Sequence, residues 1–186
     1  MVAVVGAGGH GHDIAAIINA LGGAANFYDD EPGRGMAIKP GVGLVGYVVG
    51  INDPAQRQSM VDRLNDAGSK AQRPIIHPTS VVGVGEPSHG CVVGPLSSLL
   101  YNVVLAEHVH VGAGCHLTRC TVGAFTTISP GVTICGDVKI GSGCLIGAGA
   151  VIKNLVTIGD NVTVGAGAVV VKDLEDGVTV KGNPAR

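Results

Sequence analysis

Apolar residues recur every six positions through the C-terminal part of the chain. A glycine often follows the apolar residue directly, and a small or β-branched residue stands four places after most of them. Nine such hexads in one unbroken register predict a hexapeptide β-helix, in which three short strands form each triangular coil. The repeating positions are Val122, Ile128, Ile134, Ile140, Ile146, Ile152, Ile158, Val164 and Val170, preceded at the same spacing by Val93, Leu99, Leu105, Val111 and Leu117.

The interior of such a β-helix is narrow, and the composition agrees with that. Glycine supplies 31 of 186 residues, aromatic residues make up 3%, and hydrophobic residues reach 46%. Valine, isoleucine, alanine and cysteine fit inside the coils, while glycine serves the corners where positive φ is needed. We expect about four or five coils.

Residues 1–75 follow a different pattern, in which predicted strands alternate with predicted helices. The run from Val2 to Val5 predicts a strand, and apolar residues from Ile14 to Leu21 lie on one helical face. Further strands are predicted at 26–28 and 47–51, and Asp53-Pro54 favours the start of a second helix. The predicted fold is α/β plus all-β: a small Rossmann-like domain over residues 1–75 and a parallel β-helix over residues 76–186.

Charge and cysteine usage exclude several classes of function. Twelve Lys and Arg against fourteen Asp and Glu give a net charge of −2, and no basic stretch indicates binding to nucleic acid or membranes. The apolar start lacks a basic leader and is soon interrupted by glycines, so we expect no membrane span and a cytoplasmic location. Five cysteines without CxxC spacing indicate reduced thiols and no metal site.

Four short motifs add a family resemblance to the hexads. They are GAGGHG at 6–11, YDD at 28–30, IHP at 76–78 and GNPAR at 182–186. Together with the hexads they resemble the left-handed β-helix sugar acetyltransferases of bacteria, of the PglD and NeuD type. The resemblance implies a left-handed β-helix and a homotrimer. It also implies transfer of an acetyl group from acetyl-CoA to an amino group of a UDP- or CMP-linked sugar.

The resemblance assigns the sugar nucleotide to the N-terminal domain. The glycine-rich turn also satisfies the GxGxxG fingerprint of nicotinamide cofactors, although too few strands follow for a full dinucleotide fold. The alternative is that the glycine-rich turn only connects a strand to a helix and binds no ligand. The substrate-binding residues implied are Gly8, Gly9, His10, Asp29, Asp30 and Asn52, the last in a place where relatives usually carry a glycine.

Acetyl-CoA is assigned to the β-helix by the same resemblance. Small residues there give a low surface along which an extended pantetheine can lie, although glycines at these places also suit the coil corners alone. Thr127 stands where relatives carry a histidine that contacts CoA. The cofactor-binding residues implied are Thr127, Gly136, Gly147, Ala148, Gly165 and Ala166.

The catalytic histidine of the family is missing from this chain. Relatives carry a histidine followed by an acidic residue where Thr118 and Arg119 stand here. The hexad register slips at the same place, because Leu117 and Val122 are five residues apart instead of six. The loss of one residue at the catalytic turn explains both observations.

Three interpretations of this loss are open. In the first, a neighbouring histidine serves as the base, either His116 beside the slipped turn or His108 or His110 one face earlier. In the second, the enzyme works by positioning alone. In the third, the trimer binds ligands or partners without catalysis, and Arg119 holds an anionic group or forms a surface ion pair. O-acylation of a sugar is a further alternative.

Overall fold

The computed structural model describes residues 1–38, 43–83 and 87–186, and it begins with a small α/β unit. Its elements are β1 Val2–Val5, α1 Gly9–Ala20, β2 Ala25–Asp29, β3 Met36–Ala37, β4 Val45–Val49, α2 Pro54–Asp66 and β5 Lys70–Ala71. The five strands pair in parallel in the order β3-β2-β1-β4-β5. The predicted Rossmann-like character is thereby confirmed.

The two helices cover opposite faces of this sheet. Ile14 of α1 packs with Val4 on one face, and Val61 of α2 packs with Val5 on the other. The helix α2 begins as predicted, because the Asp53 carboxylate accepts a hydrogen bond from the backbone N–H of Gln56 at 2.8 Å. In the described part of the chain, no helix is long and apolar enough to cross a membrane.

Parallel strands of two or three residues then build a β-helix with three faces. The first face contains β6 Ile75–Ile76, β8 Val92–Val93, β11 His110–Val111, β14 Thr127–Ile128, β17 Leu145–Ile146, β20 Thr163–Val164 and β22 Thr179–Val180. The second contains β7 Val81–Val82, β9 Ser98–Leu99, β12 His116–Leu117, β15 Thr133–Ile134, β18 Val151–Ile152 and β21 Val169–Val170. The third contains β10 Val104–Leu105, β13 Cys120–Val122, β16 Val138–Ile140 and β19 Thr157–Ile158.

The repeating apolar residues fill the β-helix interior, as the hexads predict. Ile128, Ile134 and Ile140, one from each face, are all at least 96% buried. The expected four or five coils are too few, since the first face has seven strands. The hexads before residue 122 also form coils, and these begin at β6 on the N-terminal side.

The slip in the hexads is absorbed by a tight corner between the second and third faces. Leu117 still pairs in register with Ile134, and Cys120 pairs with Val138. The shortened corner consists of Thr118 and Arg119, and Arg119 takes a left-handed conformation with φ of 41°. The missing residue therefore changes one corner and leaves the stacking of the strands intact.

Candidate functional site

A cavity of about 730 Å³ lies between α1 and the β-helix. On the β-helix side it is bounded by the first corner, which we define as the turns that join the first face to the second. Apolar residues such as Ile14, Ile17 and Ile128 form much of its wall. A concave, largely apolar site with a few converging polar groups is typical of small-molecule binding.

Polar groups from the two parts of the chain meet in this cavity. The Nε2 atom of His10 in α1 lies 2.8 Å from the Nδ1 atom of His110 in β11. The Thr127 hydroxyl donates a hydrogen bond to the backbone carbonyl of Asn52 at 2.7 Å. Three residues predicted at different sites, His10 and Asn52 for the sugar and Thr127 for CoA, therefore line one cavity.

Three histidines of this region, His10, His108 and His110, are held in the neutral form. Burial lowers the pKa of His110 well below 6.5, and the nearby Arg57 guanidinium acts in the same direction. Burial also lowers the pKa of His108 to about 4, again with a contribution from Arg57. For His10 both effects lower the pKa, while Asp13 opposes them. These rings are therefore proton acceptors at neutral pH.

Arg57 is a central residue of this region, although none of the sequence motifs includes it. Its fully buried side chain donates hydrogen bonds to backbone carbonyls of both parts of the chain. They belong to Ile51 and Asn52 on one side, and to His108 and Phe125 on the other. The sequence does indicate that Arg57 is buried, because Arg57, Val61 and Leu64 follow the i, i+4, i+7 pattern of a buried helical face.

In the glycine-rich turn, the backbone at Gly11 lies too close to the backbone at Gly6 for a side chain to fit between them. A Cβ atom on Gly11 would lie 1.9 Å from the carbonyl oxygen of Gly6, whereas Gly8 and Gly9 face open space. Gly8 is the N-cap residue of α1 and provides no side-chain cap. The first N–H groups of α1 are therefore left for a ligand or for solvent.

Of the two predicted acidic residues, only Asp29 contacts the glycine-rich turn. Its carboxylate accepts hydrogen bonds from the backbone N–H groups of Ala7 at 2.7 Å and Glu31 at 2.9 Å. These bonds, with that from Ala7 the stronger, lower the pKa of Asp29. Asp30 instead forms a bidentate, half-exposed ion pair with Arg63.

Four of the predicted CoA-binding residues continue the first corner beyond the cavity. The backbone N–H of Gly149 donates to Pro130 in the cavity wall at 3.0 Å, and that of Gly167 donates to Ala148 at 2.8 Å. A Cβ atom on Gly147 would lie 2.5 Å from the backbone nitrogen of Ala166. The first corner is thus a flat column of stacked turns, which includes Gly147, Ala148, Gly165 and Ala166.

The other predicted residues lie on different parts of the β-helix. Gly136 belongs to the second corner, which we define as the turns that join the second face to the third. A Cβ atom on Gly136 would contact the Arg119 guanidinium. Arg119 pairs with Asp137 at 3.0 Å and is half exposed, so its side chain forms a surface ion pair. His116 is exposed on the second face, with its Nδ1 2.7 Å from the Ser98 hydroxyl. His116, Thr118 and Arg119 do not line the cavity.

The thiol beside the slipped corner is not activated, and no metal cluster is found among the described residues. Burial raises the pKa of Cys120, beside the slipped corner, to about 12, so its thiol stays protonated. The cysteines of residues 1–38, 43–83 and 87–186 are all free. In the same ranges, no group of three or more His, Cys, Asp or Glu side chains is arranged to hold a metal ion.

The stacked hexads and the cavity at their corner define a hexapeptide-repeat transferase. The "Bacterial transferase hexapeptide (six repeats)" family matches residues 119–154, and the "Hexapeptide repeat of succinyl-transferase" family matches residues 137–172. No curated protein sequence matches the chain. Similar solved structures, in contrast, extend over its whole length.

Three such structures are bacterial. The acetyltransferase domain of PglB from Neisseria gonorrhoeae, in complex with acetyl coenzyme A, is 32% identical, with a TM-score of 0.87 and coverage of 100% of this chain and 97% of that one. PerB from Caulobacter crescentus, in complex with CoA and GDP-perosamine, is 28% identical, with a TM-score of 0.76 and coverage of 100% and 95%. WeeI from Acinetobacter baumannii is 26% identical, with a TM-score of 0.87 and coverage of 100% and 98%. The chain belongs to the left-handed β-helix sugar acetyltransferases.

Proposed function

We propose that this protein transfers the acetyl group of acetyl-CoA to an amino group of a nucleotide-linked sugar. The observation that carries the proposal is the position of the cavity. It joins the α/β unit, which holds the residues predicted for the sugar nucleotide, to the corner of the β-helix that holds the residues predicted for CoA. Both substrates can therefore meet at one place.

The α/β unit suits the nucleotide. Backbone N–H groups at the start of α1 can bind a diphosphate, because Gly8 and Gly9 leave open space above them. Asp29 keeps the turn in shape through its hydrogen bond with Ala7. His10 follows Gly9 directly and lines the cavity. A sugar attached to a diphosphate at the start of α1 would therefore enter the cavity beside His10.

The first corner suits the pantetheine arm of acetyl-CoA. Its column of small residues runs from Gly112 in the cavity wall to Gly165 and Ala166. An arm lying along this column brings the thioester to the cavity end. The neighbours PglB and PerB were crystallised with acetyl coenzyme A and with CoA, which supports this use of the β-helix.

The reaction needs a neutral amine and a polarised thioester. The amine attacks the carbonyl carbon, a C–N bond forms, and the C–S bond breaks to release CoA. The buried Arg57 charge beside the cavity disfavours a second positive charge there, so it favours the unprotonated amine. His116 is the base predicted from the sequence, with Thr118 and Arg119 at the family's dyad position.

The assembly we propose is a homotrimer, as in the family that the chain resembles. Large apolar side chains exposed on the outside of the β-helix support this, because they suit contacts between subunits. They include Leu96, Tyr101, Val104 and Leu155, each between 57% and 70% exposed.

The test is acetyl transfer by the purified full chain. The protein is incubated with acetyl-CoA and a panel of amino sugars linked to GDP, UDP, CMP and dTDP, and product masses are followed over time. Sugars with a hydroxyl in place of the amine test for O-acylation. Acetylation of an amine supports the proposal. Binding of both substrates without turnover supports a non-catalytic ligand-binding protein, and binding of neither overturns the proposed function.

A further inference from the structure

The hydrogen-bonded pair of histidines in the cavity has no counterpart in the motifs found in the sequence. His10 comes from the α/β unit and His110 from the β-helix, 100 residues later. His110 is 2% exposed, and its Nε2 atom is buried without a hydrogen-bond partner among the described residues. A buried polar side chain of this kind carries a desolvation cost, so it calls for an explanation.

The contacts around the pair indicate where its protons are. The backbone of Gly90 lies near the His110 ring and slightly opposes the lowering of its pKa, although it completes no hydrogen bond with Nε2. If the proton of the neutral His110 ring is on Nε2, Nδ1 is an acceptor, and His10 must donate its Nε2–H across the 2.8 Å contact. The Nδ1 atom of His10 then carries a lone pair, and it makes no hydrogen bond to the described residues.

We propose that His10 is the general base for acetyl transfer, and that His110 is the positioning residue that orients its ring. This inference rests on the proposed function. It places the base at the boundary between the two parts of the chain, in the cavity where both substrates meet. Thr118 and Arg119, at the position of the family dyad, lie on a different corner of the β-helix.

The step balances as follows. The sugar amine attacks the thioester carbonyl, a C–N bond forms, and the carbonyl π electrons move to oxygen. The attacking nitrogen, now positively charged, loses a proton to Nδ1 of His10. The tetrahedral intermediate then collapses, the C–S bond breaks, and the CoA thiolate takes the proton from His10 to leave as free thiol.

The charges around the pair suit this sequence of events. Asp13 of α1, Arg57 of α2, and His77 and His108 of the β-helix are the titratable groups nearby. Burial and Arg57 keep the pKa of His10 below 6.5, so the ring is unprotonated when the substrate arrives. A weak base is sufficient, because the ammonium nitrogen of the tetrahedral adduct is more acidic than that of the free sugar amine.

The main competitor is His116, the base predicted from the sequence. Its ring is exposed on the second face and contacts Ser98, and it does not line the cavity. His77 lines the cavity, but its Nδ1 accepts a hydrogen bond from the backbone N–H of Thr79 at 3.2 Å, so Nε2 carries the proton of the neutral ring. His10 differs from both, because a second ring fixes its orientation and leaves Nδ1 unpaired.

The test compares histidine variants of the full chain, using the amino-sugar nucleotide that the wild type acetylates fastest. His10→Asn is expected to lower kcat about 10²-fold or more with little change in KM for acetyl-CoA. The wild-type pH profile of kcat/KM should have an acid limb from His10 below pH 6.5, and this limb should vanish in His10→Asn. The exposed His89 provides the matched control, and His89→Asn should behave as the wild type.

The role of His110 needs its own pair of variants. His110→Asn keeps an acceptor close to the place of Nδ1, whereas His110→Leu fills the same apolar space without one. We expect His110→Asn to retain at least tenfold more activity than His110→Leu at equal thermal stability. In 15N spectra of the imidazoles, the His10 signals should move in His110→Leu and when the substrate binds. A purely structural role for His110 would favour leucine.

The possible failures are distinguishable. A wild type without turnover on the whole panel overturns the proposed function, and the base role with it. Turnover that survives in His10→Asn with an unchanged pH profile overturns the base role alone. Loss of turnover in His116→Ala but not in His10→Asn assigns the base to His116.

Discussion

Arg57 should hold the two parts of the chain together, and replacing it tests this. Its guanidinium donates to four backbone carbonyls, two on either side of the boundary. None of the described carboxylates forms an ion pair with it. Burial lowers the pKa of Arg57 to about 10, yet the side chain stays charged at neutral pH.

The expected effect of Arg57→Met follows from these contacts. Methionine fills much of the volume but donates no hydrogen bond, so each carbonyl left without a donor costs about 1–3 kcal/mol. Removal of the buried Arg57 charge also removes its desolvation cost, and this offsets part of the lost stability. The free energy of unfolding should fall by about 3–5 kcal/mol, the range seen when one partner of a buried charge is removed.

Circular dichroism at 222 nm during urea unfolding measures this loss. Both helices of the described residues lie in the α/β unit, so the helical signal reports that unit. In Arg57→Met it should be lost at a lower urea concentration than the β-sheet signal of the β-helix.

Arg63 provides a matched control on the same helix. It pairs with Asp30 at a half-exposed site, and Arg63→Met should cost less than about 1 kcal/mol. An Arg57→Met protein with the wild-type midpoint would refute the reasoning, because it would show that the carbonyls find other partners at no cost.

Three further predictions concern the glycine-rich turn, the acid stability and the CoA column. Gly11→Ala should prevent the turn from closing and strongly destabilise the α/β unit. Gly8→Ala changes only the N-cap of α1, so it should lower the melting temperature far less, while it weakens binding of the sugar nucleotide in calorimetry. The folded pKa of His108 is about 4 against 6.5 when unfolded, so its stabilisation is complete above pH 6.5 and is lost as the pH falls towards 4. This contribution is up to about 3 kcal/mol, and His108→Asn should flatten the measured dependence of stability on pH. Ala148→Leu on the exposed first corner should raise KM for acetyl-CoA at unchanged stability. The control Asn154→Leu, on the exposed second corner, should leave this KM unchanged. Equal effects of the two variants would argue against binding of the pantetheine arm along the column.

The fold was predictable because its determinants are local and repeated. Hexads specify which residue of each strand points inwards, and the spacing of 18 residues between Gly147 and Gly165 is one full coil. Gly136 is only 11 residues from Gly147, which is less than one full coil, so these two residues lie on different corners. The prediction of a left-handed β-helix sugar acetyltransferase is confirmed by the structural matches.

The cavity was less predictable, because it depends on contacts between distant segments. His10 belongs to a recognisable turn, but no local pattern shows that its ring meets that of His110. The buried position of Arg57 has only a faint signal, since arginines on helices usually reach solvent. The sequence did locate the shortened corner at Thr118 and Arg119, yet only the strand register shows that the coils above and below it still stack.

The same arginine connects the stability of this molecule to its proposed chemistry. Arg57 binds the carbonyl of His108, two residues before His110, and the carbonyl of Asn52, which also accepts the Thr127 hydroxyl. The contact between the two histidines crosses the boundary that Arg57 bridges, so their 2.8 Å separation depends on how the two parts dock. A base on the second face of the β-helix, such as His116, would need no such docking. If the His10–His110 pair is the base, Arg57→Met must lower kcat even under conditions where both parts remain folded; if His116 is the base, that loss of kcat should be absent.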